Sequence, residues 1–259
     1  MPTENTLGLS TIKDLMFGLF SSQLDFILFF YGLAFILLGC VCFALARGSR
    51  QTTPWAVLSL FAFLHGAGEW LDLTALIVGD TTVFAISRTA LMAASFILLL
   101  DFARQEAVRL GWKAPGRRVY APLLLVVAFG AHLAGLNGAN AFARYAFGAT
   151  GAFATSAILA FHARGAAPVE KRWVLSAVLG FALYGIAAGL IVPPTPSWKG
   201  DFLNYDDFVR LTGVPIQFIR GLLACWIAFA IWAFWGQRLM FDASRSVIPL
   251  FCASNLSGR

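Results

Sequence analysis

Hydrophobic residues gather into seven long stretches, at approximately 23–46, 54–79, 82–103, 119–137, 141–162, 172–192 and 213–237, with polar residues between them. Each stretch approaches or exceeds the ~20 residues that an α-helix needs to cross the hydrocarbon core of a bilayer. None carries the period-two alternation of a half-buried strand. The pattern predicts an all-α, polytopic membrane protein with seven transmembrane helices in one domain, 23–239. Residues 1–22 are too polar, and the first span too long, for a cleaved signal peptide. Leu15, Met16, Phe17, Leu19 and Phe20 predict a short helix lying on the interface instead. Residues 240–259 form a tail.

Composition sharpens this picture. Of 259 residues, 59% are hydrophobic and 12% charged, about half the charge of a typical soluble domain. Disorder, a disulfide-stapled secreted module and most soluble enzyme folds are excluded. The net charge of +6 does not signal nucleic-acid binding, because the bases lie in short runs between apolar segments. Those runs orient the chain. Arg47 and Arg50 follow the first span, Arg104, Arg109, Lys113, Arg117 and Arg118 the third, Arg164, Lys171 and Arg172 the fifth, and Arg238 and Arg245 the seventh. The alternate loops offer Arg144, Lys199 and Arg210 against the acids Asp80, Asp201, Asp206 and Asp207. The positive-inside rule then places the N-terminus outside and the C-terminus in the cytoplasm. The longest connection, 193–212, has prolines that stop the sixth helix, and its Phe202 to Leu211 portion is compatible with a short interfacial helix or lid.

Ionisable groups inside a span cost several kcal/mol unless paired or hydrated, so they point to function. The second span reads HGAGEWLD, which sets His65, Glu69 and Asp72 on one helical face. At 1.5 Å per residue these share a level with Arg88 of the third span and with Gln217 and Arg220 of the seventh. Glu69 or Asp72 is expected to pair with Arg88 or Arg220. His132, Asp25, Tyr31 and Tyr184 approach the same level, whereas Asp101 and His162 fall at cytoplasmic ends as solvated groups. The competing reading of this layer is an ion-paired plug that fixes helix register.

His65 and His132 lie on different helices in the same half, the minimum arrangement for bis-histidine haem, or for a metal completed by Glu69. Retinal is excluded, since Lys13, Lys113, Lys171 and Lys199 all lie outside the spans. Cys40, Cys42, Cys225 and Cys252 have no metal-binding spacing.

At FYGLAF (Phe30 to Phe35), HGAGEWLD (His65 to Asp72) and PIQFIRG (Pro215 to Gly221) the chain resembles the seven-helix sensor modules of bacterial signalling proteins, which precede histidine-kinase, PAS or diguanylate-cyclase parts. The resemblance implies a polar layer containing His65, Glu69, Trp70, Asp72, Gln217 and Arg220, a bacterial inner-membrane location, and an output domain or kinase partner in the cytoplasm. The chain stops at Arg259 without such an output segment, so the output is expected in a longer protein or a separate subunit.

The resulting expectation is a receptor domain, not itself an enzyme, with the lipid bilayer, a cytoplasmic output partner and a second copy of itself as its candidate partners. It would take a small molecule or ion at Tyr31, His65, Glu69, Trp70, Asp72, Arg88, His132, Gln217 and Arg220. A haem- or metal-binding protein using His65 and His132 is the first alternative. A small transporter is the second, disfavoured because the cytoplasmic halves of the spans carry almost no polar residues.

Overall fold

In a computed structural model of the protein, residues 18–20, 22–48, 53–195 and 204–236 are described. Most of the interfacial segment 1–22, all of the tail 240–259, and Arg50, Lys199, Asp201 and Arg238 lie outside them. The described chain is helical: α1 (Leu24–Gly48), α2 (Trp55–Val78), α3 (Thr82–Arg109), α4 (Tyr120–Ala143), α5 (Thr150–Arg164), α6 (Pro168–Tyr184), α7 (Tyr205–Thr212) and α8 (Ile216–Ile231). Three π-helical stretches, Arg144–Ala149, Gly185–Leu190 and Trp232–Gly236, continue α4, α6 and α8. Six helical stretches are long and apolar enough to cross a membrane, so the chain is an all-α membrane protein.

The longest stretch, Arg117–Arg164, runs for 48 residues but is not one rod. Ala134 (φ −144°, ψ 28°) and Gly135 (φ 59°, ψ −144°) leave helical geometry inside α4. Residues eight apart on an α-helix are ~12 Å apart, yet a Cβ placed on Gly138 would lie 2.0 Å from the Gly130 carbonyl oxygen. The chain therefore folds back on itself here. Gly135 supplies the positive φ that L side chains resist, and Gly130 and Gly138 let the two arms touch backbone to backbone. The reversal comes a few residues earlier than hydropathy predicts, because LAGLNGANAF is apolar enough to read as a span on either side of the turn.

α3 outruns its predicted end by six residues (103 to 109). Asp101 pairs with Arg104 at 2.7 Å and Glu106 with Arg109, both three residues apart on the helix surface, and these bonds carry the helix past its apolar part. Tyr120 donates to Asp101 (2.7 Å), and His162 Nε2 lies 2.8 Å from Glu106. Asp101 and His162 thus each hold a bonded partner across helices, the first tying α3 to α4 and the second α3 to α5, where the sequence suggested solvated groups.

Apolar side chains supply the rest. Tyr31, Phe35, Phe61, Phe96, Phe102, Trp55, Phe147, Phe181 and Tyr184 are buried in one core, while Ile77, Val83 and Leu125 lie exposed on the outside, as a surface facing lipid requires. α1 and α2 pack closest at Gly32 and Gly66, where a Cβ on Gly66 would meet the Gly32 carbonyl oxygen at 2.8 Å.

Candidate functional site

At one end of the bundle the helices part around a cavity of about 650 Å³. It is bounded by the start of α1 (Leu24), the junction of α2 and α3 (Asp80), the α4 reversal (Asn137), the start of α7 (Tyr205) and the start of α8 (Gln217). Of the nine residues expected to form the site, His65, Glu69, Asp72, Arg88, Gln217 and Arg220 line it.

The other three do not. Trp70 turns the opposite way, stacking on Phe29 and donating from Nε1 to the Phe29 carbonyl at 3.3 Å, because Gly32 leaves room for an indole between α1 and α2. Tyr31 is fully buried and bonds to His65 instead of opening into the cavity. His132 is exposed on the arm before the reversal.

At the mouth Arg88 joins α3 to two acids, Asp72 at 2.6 Å and Asp80 at 2.5 Å. One of the pairings expected from the sequence forms. Asp80, read there as a loop acid, becomes its second partner. All three side chains keep access to water, so this bridge is worth about 1 kcal/mol or less.

Deeper in, His65 is enclosed by hydroxyls. Ser95 Oγ donates to the Met92 carbonyl (2.7 Å), so at its 2.9 Å contact with His65 it is the acceptor and Nδ1 carries the proton. Nε2 is then a bare acceptor, facing the Tyr31 hydroxyl at 3.1 Å and the Tyr184 hydroxyl at 3.0 Å. Phe35, Phe61 and Phe96 pack round the ring at centroid distances of 4.5, 5.6 and 5.0 Å. Both nitrogens are occupied, no lone pair is left for a metal, and His132 lines another surface. Among the described residues no three His, Cys, Asp or Glu side chains are grouped to hold a metal ion. The donors present do not fit haem or metal.

His65→Phe is expected to destabilise the protein by about 1 to 3 kcal/mol, since it removes the acceptor shared by the Tyr31 and Tyr184 hydroxyls and the donor to Ser95 Oγ. Thermal melting in detergent measures this, and an unchanged melting temperature would contradict the hydroxyl cage.

Two arginines form the inner wall. Arg220, expected opposite a carboxylate, donates to main chain: Nε to Ala187 O (2.8 Å), Nη2 to Ile191 O (2.8 Å), and Nη1 to the Tyr205 hydroxyl (3.2 Å). Arg144 donates from Nε to Asn140 Oδ1 (2.8 Å) and from Nη1 to Ala188 O (3.0 Å). The π-helical stretch that continues α6 ends at Leu190, where the last carbonyls have no partner within the helix. The two guanidiniums cap that buried end, where the helix dipole also favours positive charge. A Cβ on Gly189 would lie 2.6 Å from the Ala149 backbone, so the stretch beginning at Arg144 and the one ending at Leu190 touch directly. π turns recur at functional sites.

Arg144 is the residue that reading the sequence missed, because near the end of a span it counted as a loop base. Asn137, Asn140 and Arg144 at i, i+3 and i+7 were the available signal, a polar stripe on an otherwise apolar helix. Glu69 is buried one turn from His65, its carboxylate 3.6 Å from Nε2. Tyr205 sits between the arginines, its ring centre 5.1 Å from Arg220 Cζ and 5.9 Å from Arg144 Cζ.

No family model, curated protein or solved structure matches this chain. What the site does must be argued from its geometry alone.

Proposed function

We propose that this chain is the membrane-embedded receptor part of a bacterial signalling system, binding a small molecule in the cavity and passing the event to the cytoplasmic end of α8. Counting the arms on either side of Ala134–Gly135 separately gives seven passes. The basic residues Arg47, Arg104, Arg109, Arg117, Arg118, Arg164 and Arg172 gather at the helix ends opposite the cavity. By the positive-inside rule the cavity then opens outward, in the inner membrane.

The observation that carries this reading is a roomy cavity in an apolar bundle with buried Glu69, Arg144 and Arg220 in its wall. Register alone needs no space, and ligand sites of this size class are concave, largely apolar and carry a few convergent polar groups. Transport is disfavoured by the aromatic seat round His65, which closes the bundle below the cavity. Signal transfer follows from Arg220. It fastens the start of α8 to the end of α6, so a ligand that competes for its donors loosens one helix against the other.

The test begins with a small-molecule screen by thermal stabilisation of the protein in nanodiscs, followed by hydrogen exchange on each binder. Binding should change exchange in the 232–236 turn, far from the cavity, and Thr89→Trp, which fills the cavity, should abolish both effects. Accumulation of a binder inside proteoliposomes, or the absence of any binder that Thr89→Trp blocks, would overturn the reading. Reporter fusions after Asp80 and after Lys113 should lie on opposite sides of the membrane.

A further inference from the structure

We infer that the ligand is a small organic monoanion, a carboxylate with an apolar body, whose charged group sits between Arg144 and Arg220. The inference rests on the cavity being a ligand site, as proposed above, and adds the chemical class.

The first observation is unspent donor capacity. A guanidinium has five N–H groups in a planar fork. Arg220 uses three on protein acceptors and Arg144 uses two. Arg144 Nη2 has no protein partner among the described residues, although Arg144 is only 5% exposed and lines the cavity. Gln217, one turn before Arg220 on α8, also lines the cavity with no hydrogen bond to protein among the described residues. A carboxylate offers the acceptors these groups lack, and its two oxygens match the fork.

The second observation is charge. Neither buried guanidinium makes an ion pair among the described residues, and both flank the same Tyr205 ring. Opposing them is the α6 helix end, equivalent to about half a negative charge, while the buried Glu69 carboxyl shares the wall. Positive charge is left over in a site sheltered from water, whereas Asp72, Asp80 and Arg88 at the mouth are hydrated and contribute little. One negative charge fits this remainder. A dianion would exceed this remainder, which disfavours phosphate and sulfate.

The third observation is the wall. Leu28, Ala75, Leu76, Met92 and Leu136 line the same cavity, so the body that carries the anion is apolar.

The test uses the full chain in nanodiscs with hexanoate, octanoate and benzoate as aqueous probes and oleate as a membrane-borne one. Hexanamide, benzamide, inorganic phosphate and sulfate are the controls. At least one carboxylate should raise the melting temperature in a saturable manner, and the amides and inorganic anions should not. Whether the aqueous acids or oleate respond tells which source the site serves.

Gln217→Glu leaves every protein hydrogen bond in place yet puts a competing carboxylate beside Arg220. It should weaken carboxylate binding at least tenfold. Arg144→Lys, which keeps the charge and loses the fork, should weaken it several-fold, and exposed Arg118→Gln should change nothing. Stabilisation by amide and acid alike, by no carboxylate at all, or undiminished in Gln217→Glu would overturn the inference. A neutral binder lost in Thr89→Trp would do so while leaving the receptor reading intact. Carboxylate binding without any change in hydrogen exchange at 232–236 would support the site and overturn the receptor.

Discussion

Gly138→Ala should prevent accumulation of folded protein. The added Cβ lies 2.0 Å from the Gly130 carbonyl oxygen and 2.9 Å from its carbonyl carbon, and backbone cannot rotate aside as a long side chain can. The arms of the reversal must separate, and with them goes the packing of Phe142 on Phe129. A loss above about 3 kcal/mol is expected, at the upper end of overpacking costs. Gly165→Ala, with nothing within 4 Å of the new atom, is the matched control. Yield and melting temperature of both variants, purified side by side, decide the matter. Equal behaviour would mean that the chain does not fold back at this point.

Arg220→Ala carries the second large effect. It strips the donor from Ala187 O, Ile191 O and the Tyr205 hydroxyl and leaves only Arg144 to cap the buried helix end that continues α6. Roughly 3 to 5 kcal/mol should be lost, as when one partner of a buried charged contact is removed. Arg118→Ala, at an exposed position, should stay within about 0.5 kcal/mol. Denaturation of the two variants in mixed micelles measures the difference. Because Arg220 is held by carbonyls and not by a carboxylate, adding Glu69→Gln should rescue nothing. Recovery in that double variant would restore the ion-pair reading of the sequence.

The contrast between these residues shows what a sequence of this kind discloses. Apolar length is a property of each segment alone, so the spans were legible to within a few residues except where local chemistry intervened. The reversal at Gly135 was placed late because its flanks are equally apolar, and α3 was cut short because its last turns are held by ion pairs instead of hydrophobicity. Depth along a helix was legible too. Counting rise per residue put His65, Glu69, Asp72, Arg88, Gln217 and Arg220 at one level, and all of them meet in one cavity.

Direction round the helix was less so. Trp70 follows Glu69 by one residue, a rotation of ~100° that carries it away from the cavity and against α1. Partners were least legible. Side-chain charge suggests side-chain counter-charge, and no pattern in the letters announces that a main-chain carbonyl will stand free where a helix stops. Arg144 and Arg220 find such carbonyls because α6 ends inside the bundle, which depends on how the elements pack.

The π-helical stretch Gly185–Leu190 has a further meaning at the level of the gene. A π turn holds one residue more than the α-helical turn it replaces, so in geometry it equals an α-helix with a single codon added. Deleting one codon there would make the helix more regular, and would rotate and draw back the carbonyls that now receive two guanidiniums. The deletion would be gentle on the helix and severe on the arginines, each left charged in an apolar interior. Insertion, Arg144 and Arg220 therefore form one heritable unit: in any lineage descended from this chain, loss of the extra residue should be accompanied by replacement of both arginines with uncharged side chains.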